Sequence, residues 1–319
     1  MNRRTFLATS AALTVTEMTK VEAAPASIPI IDCHIHLFDV NRPQGVPWPE
    51  KADKILYKTA SMDRYRQITA ALGIVGAIEV EASPWFDDNQ WVLDIAAKDK
   101  MLVGTVGDLE PDKPDFRAQL DRLHKNPLFR GIRYGNIWDR DLAAMVDKPE
   151  FIAGMKMVAD AGLSMDSADP DPRLIHGILR LSDKVPSLRI VIDHLPRIEK
   201  PTAAGALKAY EGDLRELGKR KQVFVKVSGV VRRVNGRIEE NPAFYKSTLD
   251  EFFDIFGEDR LIYGSDWPHS DLWAQYPVEL RIVRPYFMAK GQAVAEKYFW
   301  KNSVAAYRWV HRDKSQPNA

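Results

Sequence analysis

His34 and His36 stand one residue apart in "IIDCHIHLFD", residues 30–39, in a chain that has only seven histidines. On an extended strand, residues two apart point the same way, so Asp32, His34 and His36 are expected on one face, with Cys33 and Ile35 on the other. Two imidazoles aimed at one point bind a metal ion or polarise a carbonyl. Matching partners recur later in the chain. "IVIDHLPR" offers His194 after Asp193, and "LIYGSDWPH" offers Asp266 with Trp267 and His269. Glu79 and Glu81 fall at the end of "IVGAIEVEA", Arg133 lies in "FRGIRYG", and Lys226 and Ser228 lie in "VKVSGV". Each interrupts an apolar run, where an unpaired polar group is costly, so their recurrence points to a built site.

His34, His36, His194 and Asp266 together supply three nitrogens and one oxygen, a donor set suited to one divalent ion, zinc above others. Such an ion lowers the pKa of its bound water to about 7 and makes hydroxide available at neutral pH. Asp266 then takes or relays the proton, with His194 beside it. A metal-free version is equally compatible with these residues: the histidines hydrogen-bond a carbonyl and Asp266 alone activates water. Glu81, Arg133, Lys226, Trp267 and His269 are expected to contact substrate. Trp48, Trp85, Trp138, Trp267 and Trp273 follow strand ends, where flat aromatic faces suit a sugar ring or another planar ligand.

The elements that must position these residues are eight short apolar runs, at 28–37, 74–82, 101–110, 129–135, 163–169, 188–197, 222–230 and 261–269. Amphipathic helical segments separate them, giving strand-plus-crossover units of about 30 residues or more. Asp171-Pro172 and Asn241-Pro242 each place a capping residue before a proline at the first helical position, and Gly162 and Gly257 mark helix ends. The expected fold is a single-domain (β/α)8 TIM barrel with extra C-terminal helices over 292–310. In that barrel the active site lies at the carboxyl ends of the strands, where the polar residues above fall. No glycine-rich phosphate fingerprint follows the first strand, which argues against dinucleotide binding.

Composition narrows the partners. With 45 basic and 44 acidic residues, no global field attracts nucleic acid or an anionic membrane, which leaves a small-molecule substrate. The single Cys33 excludes an intrachain disulfide and a multi-cysteine metal site, and is expected to be a buried apolar filler. Arg3 and Arg4 precede Phe6, Leu7 and a mildly apolar run, so residues 1–27 read as a twin-arginine export signal and the protein as periplasmic. The rival is a disordered leader on a cytoplasmic protein. No later run is long and apolar enough to span a membrane. The barrel is assigned to 28–312 and a polar tail to 313–319. His124, His176 and His311 are expected to lie outside the site.

Taken in order, "IDCHIHLFD", "GIRYG", "IVIDHLPR", "VKVSGV" and "LIYGSDWPH" resemble the amidohydrolase-related family of the amidohydrolase superfamily, over roughly residues 28–310. The likeness is to its lactonases, of the L-fuconolactonase and 2-pyrone-4,6-dicarboxylate lactonase type. The resemblance implies a TIM-barrel hydrolase of a sugar-acid lactone or similar cyclic ester. By motif match, His34, His36 and His194 bind metal or polarise the carbonyl, Asp266 activates water, and Arg133 and Lys226 lie near substrate. Two departures matter. Arg133 stands where binuclear relatives carry a bridging lysine or glutamate, which implies at most one ion, and Pro196 stands where the lactonases show glycine. Metal-dependent decarboxylases share the first histidine pair and the strand-eight aspartate, so decarboxylation is the alternative reaction, and a non-catalytic sugar-binding barrel is a second alternative.

Overall fold

The computed structural model describes residues 28–318. The eight expected strands all form, at Ile30–Ile35, Ile74–Val80, Leu102–Asp108, Phe129–Arg133, Ser164–Asp166, Arg189–Ile192, Val223–Lys226 and Leu261–Ile262. Each pairs in parallel with the next in chain order. The ring closes between the last strand and the first. Cys33 N–H donates to the Tyr263 carbonyl at 3.1 Å, Asp266 N–H to His34 at 2.8 Å, and His36 N–H to Trp267 at 2.8 Å. The closed parallel sheet with helices around it is a (β/α)8 TIM barrel, and its closing seam joins the segments that carry His34, His36 and Asp266.

Two apolar layers hold it. Inside the ring, Ile31, Cys33, Ile78, Val103, Val191 and Ile262 pack together, and Tyr307 and Trp309 of the C-terminal segment join them. Outside, the opposite faces of the strands pack on the crossover helices. The helix Pro172–Lys184 shows how: Asp171 caps its first turn, Pro172 fits the start, and Leu174, Ile175, Ile178 and Leu181 form its buried stripe. The C-terminal segment runs as Gln292–Glu296, a π turn at Lys297–Lys301, and Asn302–Tyr307.

One local expectation needs correction. Strict alternation fails on the first strand, because the ladder slips between Asp32 and Ile35. Asp32 turns to Tyr65 and Tyr276 on the surrounding helices, at 2.8 and 2.7 Å, and Cys33 joins the barrel interior. The polar tail is anchored: Gln316 is 4% exposed and its amide donates to Lys100 O at 2.9 Å. A short antiparallel hairpin, Arg233–Val234 with Arg237–Ile238, follows the seventh barrel strand. Its turn is Asn235-Gly236, both with left-handed backbone, a pair suited to a two-residue hairpin loop. The twin-arginine reading falls on residues 1–27 and lies outside the described residues. Among the described residues, no helix is long and apolar enough to cross a membrane.

Candidate active site

The carboxyl ends of the strands open into a cavity of about 310 Å³ whose wall includes His36, His194, Asp266, His269, Glu81 and Arg133. Asp266 is its centre. Oδ1 lies 3.5 Å from His34 Nε2, 3.2 Å from His36 Nε2 and 3.3 Å from His194 Nε2, while Oδ2 meets Arg197 and, at 2.8 Å, His269 Nδ1. Burial alone pushes this carboxyl up, yet Arg197, His194 and His269 hold it well below the usual carboxylate range, so it is an anion. The three facing imidazoles are neutral. Burial lowers His34 and His36, and brings His194 down to about 4.

The backbone aims these groups. His194 and Asp266, at the ends of the sixth and eighth strands, both adopt left-handed backbone, with φ of 48 and 58. That conformation is unfavourable for residues bearing a Cβ and persists where surrounding contacts enforce it, as at functional sites. Ser228 fixes the far side of His194, with its Oγ 2.7 Å from Nδ1. His36 Nδ1 lies 2.8 Å from the Val80 carbonyl, which can only accept, so His36 donates there and turns a bare Nε2 lone pair toward Asp266. Two acceptors 3.2 Å apart need a cation or a proton between them.

A divalent ion fits part of this arrangement. With bonds of 2.0–2.2 Å in tetrahedral geometry, ligand atoms lie about 3.3–3.6 Å apart. The separations among His34 Nε2, His36 Nε2 and Asp266 Oδ1 are 3.2, 3.2 and 3.5 Å. The four ligands expected from the sequence do not form one set, however. The described residues hold two convergent groups, His34 with His36 and Asp266, and His34 with Asp193 and His194. His194 approaches Asp266 from the strand-six side and aligns with Asp193.

Of the expected substrate contacts, Glu81, Arg133 and His269 reach the cavity. Glu81 accepts from Trp138 Nε1 at 3.0 Å, faces Arg133 at 3.8 Å, and is pushed up to about 7, chiefly by burial. Lys226 and Trp267 do not reach it. Both are 0% exposed. Lys226 lies deeper in the barrel, paired with Asp166 at 2.6 Å and Asp193 at 2.9 Å, and Trp267 packs on Tyr65 with Arg64 over its ring. Of the tryptophans expected on the rim, Trp48 and Trp138 line the cavity, and Trp85 and Trp273 do not. Glu79 faces a small neighbouring recess with Asp88 and Trp91 instead.

Arg197 was not among the residues expected from the sequence. It ends the single 3-10 turn Leu195–Arg197 that follows His194, which returns its guanidinium to Asp266. The signal was a basic residue three positions after a strand-end histidine, a spacing that one tight turn places on the same side. Asp193 and Asp166, also outside the expected set, neutralise Lys226 behind the cavity, and Asp193 accepts from Arg133 Nε at 3.1 Å.

Three comparisons bear on this site. The sequence model of a family described as amidohydrolase matches residues 31–309. Among curated proteins, an L-fucono-1,5-lactonase of Burkholderia ambifaria is 28% identical over 246 residues, covering 76% of this chain and 81% of its own length. A 4-sulfomuconolactone hydrolase of Rhizobium radiobacter is 27% identical over 259 residues, covering 79% and 81%. Among solved structures, an amidohydrolase from Burkholderia multivorans with bound zinc superposes at a TM-score of 0.76 with 22% identity, over 88% of this chain and 99% of that one. At that identity the likeness shows the fold.

Proposed function

This chain belongs to the amidohydrolase family and is a hydrolase, and from that premise we propose that it opens a neutral, hydroxylated lactone or similar cyclic ester with a water activated at Asp266. The observation that carries the reading is Asp266 Oδ1 at 3.5 Å or less from three imidazole nitrogens, on the wall of an open cavity. Asp266 accepts a proton as the water oxygen bonds to the carbonyl carbon. Neutral His194, supported by Ser228, hydrogen-bonds the developing oxyanion through Nε2. The ring C–O bond then breaks, and the proton held at Asp266 passes to the ring oxygen. The product is the open hydroxy acid. One zinc ion, held by His34, His36 and Asp266, would polarise the carbonyl and acidify the water.

Charge pairing favours a neutral ring. Arg133 faces Asp193 and Glu81, and Arg197 faces Asp266, so both guanidinium groups already have carboxylate partners. A substrate carboxylate or sulfonate would compete with them. Hydroxyl groups, by contrast, find acceptors in Glu81 and Asp169 and flat faces in Trp48 and Trp138. The same pairing disfavours decarboxylation, which must seat a carboxylate. The test is a panel of neutral aldonolactones, pyrone dicarboxylates and aromatic carboxylates, followed by acid release and by carbon dioxide release. Acid release confined to the neutral lactones is expected; carbon dioxide release, or binding without product, overturns the reading. Export through a signal in residues 1–27 belongs to the same proposal and is tested by periplasmic fractionation.

A further inference from the structure

Lys226 places a buried ammonium directly behind His34. It donates hydrogen bonds to Asp166 Oδ2 at 2.6 Å and His34 Nδ1 at 3.0 Å, and it is ion-paired with Asp193 Oδ1 at 2.9 Å. An ammonium only donates, so His34 Nδ1 must accept. A neutral ring that accepts at Nδ1 carries its proton on Nε2, and that nitrogen is the one facing His36 Nε2 at 3.2 Å and Asp266 Oδ1 at 3.5 Å. Histidines that ligate metals ordinarily donate their second nitrogen to a carbonyl or carboxylate, which leaves the ligating lone pair free. His36 follows that pattern through Val80. His34 reverses it. The wall of the cavity agrees, for it includes His36 and Asp266 while His34 is 0% exposed behind them.

We propose that Lys226 is a positioning residue that holds His34 as an Nε2–H donor to the bare His36 nitrogen, and thereby weakens this site for divalent metal. The proton on His34 occupies the place an ion must take. For an ion to enter, that proton has to move to Nδ1, Lys226 has to turn one N–H away, and Asp193 Oδ1, 3.5 Å from Nδ1, becomes the new acceptor. The inference concerns the cluster itself and stands or falls independently of the lactone reading.

The test combines 15N-histidine NMR with zinc chloride titration of the chelator-treated full chain, in wild type and in Lys226→Met/Asp166→Asn. That pair of changes removes one positive and one negative buried charge together. The His34 signals are assigned by their loss in His34→Gln. Wild type should show a bare Nδ1 and a protonated Nε2. The double variant should show the opposite tautomer and bind zinc at least about tenfold more tightly, while Asp166→Asn alone should keep the wild-type tautomer. A protonated Nδ1 in wild type overturns the proposal, as does unchanged or weaker zinc binding in a double variant with wild-type circular dichroism. If the double variant does not fold, the wild-type tautomer decides alone.

Discussion

Replacing Glu81 with Gln tests the electrostatics of the cavity through stability. Burial raises this carboxyl from its ordinary 4.5 to about 7, against the lowering pull of Arg133 and the Trp138 hydrogen bond. Its folded pKa is therefore raised, so the native state keeps a proton that the unfolded chain releases between pH 4.5 and 7. Stability from this group is present below pH 4.5, falls across that window, and is fully lost above it. At 1.36 kcal/mol per pKa unit, the loss is about 3 kcal/mol. Glu81→Gln cannot titrate and escapes it. Relative to wild type, the variant should gain about 3 kcal/mol between pH 4.5 and pH 9, or about 6 °C in Tm at roughly 2 °C per kcal/mol for a chain this long. Paired thermal and urea unfolding at the two pH values measures it, and the wild-type difference cancels the other titrating groups. Equal pH slopes in the two proteins would refute the reasoning.

Further outcomes follow from other contacts. Arg197→Ala removes a cation from Asp266, so its carboxyl should rise and the acid limb of the kcat/KM profile should move up by roughly one pH unit; an unmoved limb contradicts Asp266 as the group that must be ionised. Trp138→Phe removes the N–H that orients Glu81 and should raise KM about fivefold with kcat retained, the worth of one hydrogen bond. Asp32 accepts from His34 N–H at 3.1 Å, Ser265 N–H at 2.8 Å, and the hydroxyls of Tyr65 and Tyr276. Asp32→Asn turns an amide donor on some of these donors and should cost roughly 2–3 kcal/mol in urea unfolding.

The barrel and the convergence of His34, His36 and His194 on Asp266 were legible because both rest on short-range patterns. Eight apolar runs with helical segments between them leave few topologies, and a histidine or aspartate at the end of such a run has little reason to be there except a site. Depth was not legible. Lys226 sits in an inward-facing run, as a substrate ligand would, but inward in a barrel means either the cavity or the packed interior beneath it, and one residue along a strand separates the two. Trp267 failed for a related reason: next to Asp266 it reads as part of the rim, yet the left-handed turn at Asp266 leaves it packed against Tyr65. The convergence of Asp32 with both histidines failed because a ladder slip reassigns faces without any marker in the residue pattern. Arg197 required the geometry of a single turn, which the sequence supplies only once His194 is fixed as its start.

The most direct measurement is the initial rate of Asp266→Asn on the neutral lactone that wild type opens fastest, with circular dichroism and Tm recorded on the same samples. The amide keeps the shape of the carboxylate and removes its basicity. A rate lower by at least about a hundredfold, the usual contribution of a general base, with the fold intact, is the predicted result. Turnover within a few-fold of wild type in a folded Asp266→Asn protein would contradict the assignment of Asp266 as the group that activates water.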